Sequence, residues 1–206
     1  MTSKERVIAL RQSVEYIVRC AIPGDIVECG VCKGGSMMAV ALSLKEFGAA
    51  RRLHLFDTYE GMSEPSGVDK TFRGEVAGAL MAENERETSA IWAYGALEEV
   101  RKNVLGTGYD PNLVAFVQGK VEDTLPAHAP ESIALLRLDT DWYESTKHEL
   151  EQLYPRLSVG GVLLIDDYGH WEGARKAVDE YVQEKQLRVL LQRIDYTGRL
   201  CIKPLD

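Results

Sequence analysis

Leu135-Leu136-Arg137-Leu138-Asp139-Thr140-Asp141 and Val162-Leu163-Leu164-Ile165-Asp166-Asp167 are the stretches from which the fold can be read. In each, an apolar run suited to a buried strand ends abruptly in carboxylates. In an open parallel sheet, adjacent strands deliver their carboxyl ends to one crevice, where ligands bind. Four carboxylates gathered there would repel one another unless a cation sat between them. Oxygen ligands of this kind suit a hard divalent ion such as Mg²⁺ or Ca²⁺. A single aspartate would suffice to cap the helix or turn that follows. A pair on each of two apolar strands exceeds what capping needs.

Upstream, Val7, Leu10, Val14, Ile17 and Val18 recur at helical spacing and predict an amphipathic helix over residues 5–20, broken at Pro23-Gly24. Asp25 to Cys29 reads as the first strand. Gly30 to Gly35 is a loop, and Ser36 is expected to cap a helix reaching about Phe47, with Gly48 as its stop. Arg52 to Asp57 forms a second strand and Leu113 to Val117 a third, separated by a long polar stretch from Thr58 to about Gly108. Between the fourth and fifth strands, Thr146 and Glu149 have capping-box spacing, followed by Leu150, Leu153, Tyr154 and Leu157 as an apolar face. Residues 172–184 predict a helix with Ala174, Ala177, Val178, Tyr181 and Val182 inward. Leu187 to Leu191 and Leu200 to Ile202 read as closing strands around the turn Thr197-Gly198.

Strands alternating with helices imply an α/β protein with a doubly wound, Rossmann-like, mostly parallel sheet and helices on both faces. The last two strands, joined by a short turn, cannot both run parallel to their neighbours, so an antiparallel edge strand is expected. The 206 residues suit a single domain over 1–206, with residues about 60–108 as a lid or acceptor-specificity insertion.

After the first strand comes Glu28-Cys29-Gly30-Val31-Cys32-Lys33-Gly34-Gly35-Ser36. Gly30, Gly34 and Gly35 let the backbone bend tightly and approach a ligand. The spacing G-x-x-x-G-G differs from the dinucleotide fingerprint G-x-G-x-x-G, which argues against a nicotinamide dehydrogenase. Asp57 ends the second strand, where a carboxylate can accept both hydroxyls of a ribose. Gln118-Gly119-Lys120-Val121-Glu122-Asp123 follows the third and is placed to border a base ring. Three successive strands ending in ligand-type residues point to adenosine without phosphates.

Composition narrows the classes further. With 45% apolar and 27% charged residues the chain is an ordinary globular sequence. No run approaches the roughly 18 apolar residues of a membrane span. The start Met1-Thr2-Ser3-Lys4-Glu5-Arg6 lacks the apolar core of a secretory signal, and a cytoplasmic location is expected. A net charge of −8 and a pI near 5.1 argue against nucleic acid and anionic membranes as partners. Cys20, Cys29, Cys32 and Cys201 are expected to be reduced. Cys29-Gly30-Val31-Cys32 has C-x-x-C spacing, but it lies inside the glycine loop, and no second pair completes a zinc site.

The pattern Glu28-x-Gly30-x-x-x-Gly34-Gly35-Ser36 resembles the cofactor motif of class I S-adenosylmethionine methyltransferases. Five longer strings resemble the macrocin-type O-methyltransferases: Pro23 to Val31, Phe56 to Met62, Glu122 to Pro126, Leu138 to Thr146, and Ile165 to Trp171. They occur in order over residues 5–183. Members of that family act on deoxysugar hydroxyls of macrolide and aminocoumarin antibiotics. The resemblance implies Mg²⁺-dependent methyl transfer from S-adenosylmethionine to a small-molecule acceptor with adjacent hydroxyls. By this analogy Asp139, Asp166 and Asp167 hold the metal. Asp141 is the base, with His170 as runner-up. Glu28, Gly30, Gly34 and Ser36 lie along the methionine part, Asp139 borders the cofactor, Asp57 takes the ribose, and Gly119, Glu122 and Asp123 flank the adenine. Analogy also implies a homo-oligomer. As a departure from the family pattern, the chain begins close to its first helix, so an N-terminal arm that covers the substrate in longer relatives is expected to be short or missing. A catechol-type acceptor, or an adenosyl-ligand-binding protein without catalysis, remain the alternatives.

The chemistry explains the residue types. A hydroxyl is a poor nucleophile while protonated. A divalent cation on two adjacent oxygens lowers its pKa and fixes its direction, and a nearby carboxylate or imidazole takes the proton. If the chain stays extended beyond Asp139, Asp141 points to the same side.

Overall fold

A computed structural model describes residues 2–205. The apolar runs form the strands β1 (Asp25–Cys29), β2 (Leu53–Asp57), β3 (Val114–Gln118), β4 (Ile133–Leu138), β5 (Leu157–Ile165), β6 (Gln192–Arg193) and β7 (Arg199–Ile202). They lie in one sheet in the order β3-β2-β1-β4-β5-β7-β6. The first five pair in parallel, while β7 runs antiparallel to β5 and β6 antiparallel to β7. The sequence expectation of a mostly parallel sheet with an antiparallel edge holds. The chain winds outward from β1 to β3, then returns to place β4 on the other side of β1. This reversal opens the crevice between the carboxyl ends of β1 and β4.

Both sheet faces are covered because β4 and β5 carry apolar residues at odd and even positions alike. Leu135, Val162 and Leu164 face one core with α1 (Lys4–Arg19), α2 (Gly35–Glu46) and, from the 58–108 stretch, a helix over Leu97–Leu105. Leu136, Leu163 and Ile165 face the other, with a short helix at Val121–Thr124 and helices Tyr143–Leu153 and Glu172–Glu184. Counting one more short helix at Ala77–Ala82, these are α3 (Ala77–Ala82), α4 (Leu97–Leu105), α5 (Val121–Thr124), α6 (Tyr143–Leu153) and α7 (Glu172–Glu184).

Several local expectations are corrected. Gly34, at φ +83°, is the residue before α2, so Ser36 lies inside the first turn and caps nothing. Thr146 and Glu149 sit within α6, buried, because that helix starts earlier at Tyr143. Tyr154 and Leu157 have already left the helix, for a 3₁₀ turn and β5 respectively. Residues 187–191 form no strand; β6 starts at Gln192 and is two residues long. All four cysteines are free, and only Cys29 and Cys201 are buried. Among the described residues no helix is long and apolar enough to cross a membrane.

The segment between β2 and α4 is docked at both ends. Near its start, Met62 N–H donates to Trp92 O at 2.9 Å. A small apolar cluster then joins Ala77 and Met81 to Trp142, Trp171 and Ala174 at the starts of α6 and α7. Farther on, Val100 and Val104 of α4 enter the main core.

Candidate active site

The sheet ladder continues one residue past the strand ends. Gly30 N–H donates to Phe56 O, Asp139 N–H to Cys29 O and Asp166 N–H to Leu138 O, each at 2.9 Å, and Gly119 N–H donates to Asp57 O at 3.0 Å. Four loops therefore leave the sheet at one height along its carboxyl edge. Gly30 has φ +81°, and a Cβ there would lie 2.0 Å from the Asp139 carbonyl oxygen, so only glycine lets β1 and β4 approach.

Asp139, Asp166 and Asp167 meet at this edge, with a carboxylate oxygen from each lying within 4.8 Å of the others. A hard cation with oxygen ligands at about 2.0–2.6 Å fits between donors so spaced. The residues present therefore fit Mg²⁺ chemically.

Arg137 organises this cluster, and sequence reasoning missed it. It stands opposite Glu28 in the β1–β4 register, on the same sheet face. Its Nη1 donates to Glu28 Oε1 at 2.6 Å and to Asp139 Oδ2 at 2.7 Å, and its Nη2 to Asp166 Oδ1 at 2.7 Å. Arg6, one turn into α1, pairs with the other Asp166 oxygen and with Asp195 at 3.0 Å. Burial alone would raise the Asp166 pKa, but the two guanidiniums hold it below its ordinary value. Burial pushes Asp139 and Asp167 well up, and neighbouring carboxylates add to it. Burial raises Glu28 to about 7 despite Arg137. Its second oxygen, Oε2, is buried with no hydrogen-bond partner. The signal available in the sequence was a charged residue inside an otherwise apolar strand.

Asp141 reaches the cluster by a different route from the one expected. The chain does not stay extended; Asp141 has φ +67°. The turn it makes sets its carboxyl beside Asp167. Burial raises Asp141 to about 7, and Asp139 and Asp166 act in the same direction. His170 lies one turn beyond, its N–H donating to Asp167 O at 3.0 Å. Its Nδ1 is 2.9 Å from the Tyr196 hydroxyl, and burial lowers its pKa.

Asp57 has a further task. Its Oδ2 accepts from Val31 N–H at 2.6 Å and Cys32 N–H at 3.0 Å, and its Oδ1 from Tyr59 N–H at 2.7 Å. The carboxylate at the end of β2 thus holds the glycine loop in shape. Gly34 and Ser36 lie where that loop enters α2. Glu122 and Asp123 lie exposed in the first turn of α5, just beyond Gly119.

Two other carboxylates are buried, which the sequence pattern did not indicate. Asp69, fully buried, accepts from Tyr143 N–H at 2.8 Å and from Ser66 N–H and hydroxyl, both at 2.7 Å. Glu149 is fully buried below the crevice, and neither of its oxygens has a hydrogen-bond partner. Burial drives its pKa well up. Thr140 and Cys29 favour its ionised form without reaching bonding geometry.

Comparison with known proteins identifies the family. The family model for macrocin-O-methyltransferase (TylF) matches residues 1–202. The 8-demethyl-8-(2,3-dimethoxy-alpha-L-rhamnosyl)-tetracenomycin-C 4'-O-methyltransferase of Streptomyces olivaceus is 36% identical over 203 residues, covering 96% of this chain and 73% of that protein. Demethyldecarbamoylnovobiocin O-methyltransferase of Streptomyces niveus is 33% identical over 199 residues, with the same coverage. The solved structure of the O-methyltransferase NovP superposes with a TM-score of 0.85 at 32% identity, covering 98% of this chain and 80% of that one. The glycine loop, the carboxylate strand ends and these relatives lead to one conclusion: the chain belongs to the macrocin-O-methyltransferase family.

Proposed function

We propose that this S-adenosylmethionine-dependent O-methyltransferase methylates one hydroxyl of a vicinal diol, on a deoxysugar of a natural product, with Mg²⁺ bound at Asp139, Asp166 and Asp167. The observation that carries the reading is the convergence of those three carboxylates within 4.8 Å at the switch-point crevice. Relatives named as methyltransferases of rhamnosyl-tetracenomycin and novobiocin intermediates support the sugar acceptor.

A bound divalent ion would supply Lewis acidity, making an acceptor hydroxyl easier to deprotonate. The chain's residues do the rest. Arg137 and Arg6 hold Asp166 from two sides, and Arg137 orients Asp139. Asp141 takes the acceptor proton on its carboxylate, and His170 is the second candidate for that task. Glu28, Gly30, Gly34 and Ser36 border the methionine part of the donor. Asp57 shapes the loop against the ribose, and Gly119, Glu122 and Asp123 flank the adenine. Of the lid expected over residues about 60–108, α4 packs into the main core, and the remaining residues about 60–96 cover the acceptor and exclude water. Aligning the reacting atoms in such a pocket contributes about 7–11 kcal/mol to lowering the barrier.

The test combines calorimetric titration with S-adenosylmethionine and release of S-adenosylhomocysteine over a panel of deoxysugar and catechol acceptors, with and without Mg²⁺. The expected outcome is donor binding and metal-dependent turnover on a sugar diol. Asp139→Ala should abolish turnover, and Asp141→Asn should lower kcat by about 10²–10⁴-fold. Turnover confined to catechols would replace the sugar reading. Donor binding with full turnover in the presence of a chelator would remove the metal from it.

A further inference from the structure

Both oxygens of Asp166 are held by guanidinium groups. Arg137 Nη2 donates to Oδ1 at 2.7 Å, and Arg6 Nη1 donates to Oδ2. Asp166 is also one of the three carboxylates that each place an oxygen within 4.8 Å of the others. A dication arriving there must share an oxygen with a like charge or displace it. Sharing is opposed by repulsion between cations held close together where water screens them poorly. Displacement needs a guanidinium that can leave without stranding other buried acids.

The two arginines differ in that freedom. Arg137 stands inside the central strand β4, is 4% exposed, and also binds Glu28 and Asp139. Its departure would leave both of those acids without their cation. Arg6 projects from the first turn of α1 and has a second partner outside the trio, Asp195, whose Oδ2 lies 3.0 Å from its Nε. Asp195 is itself fixed. The Ser3 hydroxyl donates to its Oδ2 at 2.7 Å, and the N–H groups of Thr197 and Gly198 donate to its Oδ1 at 3.0 Å and 2.7 Å. The Arg6 stem lies over Gly198, where a Cβ would come within 3.1 Å of its Cδ. Ser3 caps α1 by accepting from the Arg6 N–H at 3.2 Å, so the helix start stays anchored while the side chain moves.

Resting on the metal reading above, we propose that Arg6 is the resident counter-ion of the divalent-metal site, which yields Asp166 Oδ2 to the metal and keeps its bond to Asp195. The hold of Arg6 on Asp166 thus belongs to the metal-free protein, and that of Arg137 to both states. Arg6 then has two effects of opposite sign. Without metal it offsets the charge of the gathered carboxylates and keeps the site formed. Towards metal it is a competitor, so the site binds a divalent ion more weakly than its three carboxylates alone would. A residue of α1, remote in sequence from every proposed ligand, thereby sets the metal affinity.

The test is calorimetric titration of Mg²⁺ into the donor-free protein and its variants, with melting temperatures read with and without Mg²⁺. Arg6→Gln removes the competitor, and its Mg²⁺ Kd is expected to fall by about tenfold. Its metal-free melting temperature should lie below the parent's and rise more on adding Mg²⁺. Arg6→Lys keeps the charge without the planar fork and should fall between. Arg11→Gln makes the same charge change on α1, at an exposed residue paired with Glu15 and Glu46, and should hold the Kd within about twofold. Asp195→Asn removes the place of retreat. It should weaken Mg²⁺ binding by about threefold in the parent and much less in an Arg6→Gln background. A Kd for Arg6→Gln equal to or weaker than the parent's would overturn the exchange, by making Arg6 an aid to metal binding, and would leave the metal reading standing. Equal effects of Asp195→Asn in both backgrounds would overturn it too. Mg²⁺ binding absent from the parent and from Arg6→Gln alike would overturn the exchange together with the metal site beneath it.

Discussion

Asp69 Oδ1 accepts a hydrogen bond from the backbone N–H of Tyr143 at 2.8 Å, across 74 positions of sequence. A carboxylate from the segment after β2 thereby caps α6, the helix that follows the acidic end of β4. Asp69 also abuts α7, since a Cβ on Gly173 would lie 1.9 Å from the same oxygen. One side chain thus ties the proposed acceptor-covering segment to both helices that frame the cluster.

Replacing Asp69 by alanine removes the cap and leaves the half-buried N–H groups of Ser66 and Tyr143 unmet. The expected loss is about 1–2 kcal/mol of stability, read by urea unfolding, with faster proteolytic cleavage between residues 60 and 80. Asp69→Asn keeps an acceptor and should lose less. Equal stability of the alanine variant and the parent would show that the cap carries no weight.

Arg137 bridges Glu28, Asp139 and Asp166 from inside β4. Arg137→Met would leave the buried carboxylates without their cation, so a loss of about 3–5 kcal/mol is expected in chemical denaturation. Arg137→Lys keeps the charge but not the planar fork, and should fall between. A methionine variant as stable as the parent would mean that the carboxylates relax or take up protons at no cost.

Gly30→Ala tests the closeness of β1 and β4. The new Cβ meets the Asp139 carbonyl at 2.0 Å, at a backbone φ of +81°. Strain and displacement together should cost at least about 2 kcal/mol, seen as a lower melting temperature and weakened binding of S-adenosylhomocysteine. Gly35→Ala is the control for the melting temperature, because a Cβ there meets no protein atom within 4 Å.

Glu149 gives a pH signature. Its folded-state pKa is raised well above the unfolded value of about 4.3. Between the two values the folded state binds more protons, so stability falls as pH rises. Its contribution is whole below about pH 4.3 and is lost progressively towards the raised folded pKa. Glu149→Gln cannot ionise and should flatten that fall, gaining about 1–3 kcal/mol on the parent between about pH 5 and pH 8. Parallel pH–stability curves for the two proteins would show that Glu149 titrates alike in the folded and unfolded states.

Much of the scaffold was legible from local pattern. The bounds of β1 and α7, and the apolar β4 and β5 with their acidic ends, could be read directly, because strand alternation and helical periodicity are properties of neighbouring residues. Errors fell where a local rule lost to packing. The capping spacing of Thr146 and Glu149 was real, but α6 had already been started at Tyr143, where Asp69 meets its N–H from a distant segment. Leu187 to Leu191 had strand composition, yet the antiparallel edge is completed by Gln192 and Arg193 opposite Leu200 and Arg199.

Order and polarity along the chain dictate which strand ends face together, and so already require that a parallel α/β sheet bring the acidic ends to one edge. How those charges coexist is set by packing between distant segments. Arg137 stands opposite Glu28 because β1 and β4 pair in one particular register, and Arg6 reaches Asp166 because α1 packs across the same edge. The turn at Asp141, the meeting of Phe72 with His170 and Tyr196, and the isolation of Glu149 arise in the same way. Each depends on distances between residues far apart in the chain, and burial and Coulomb interaction follow those distances, not sequence spacing.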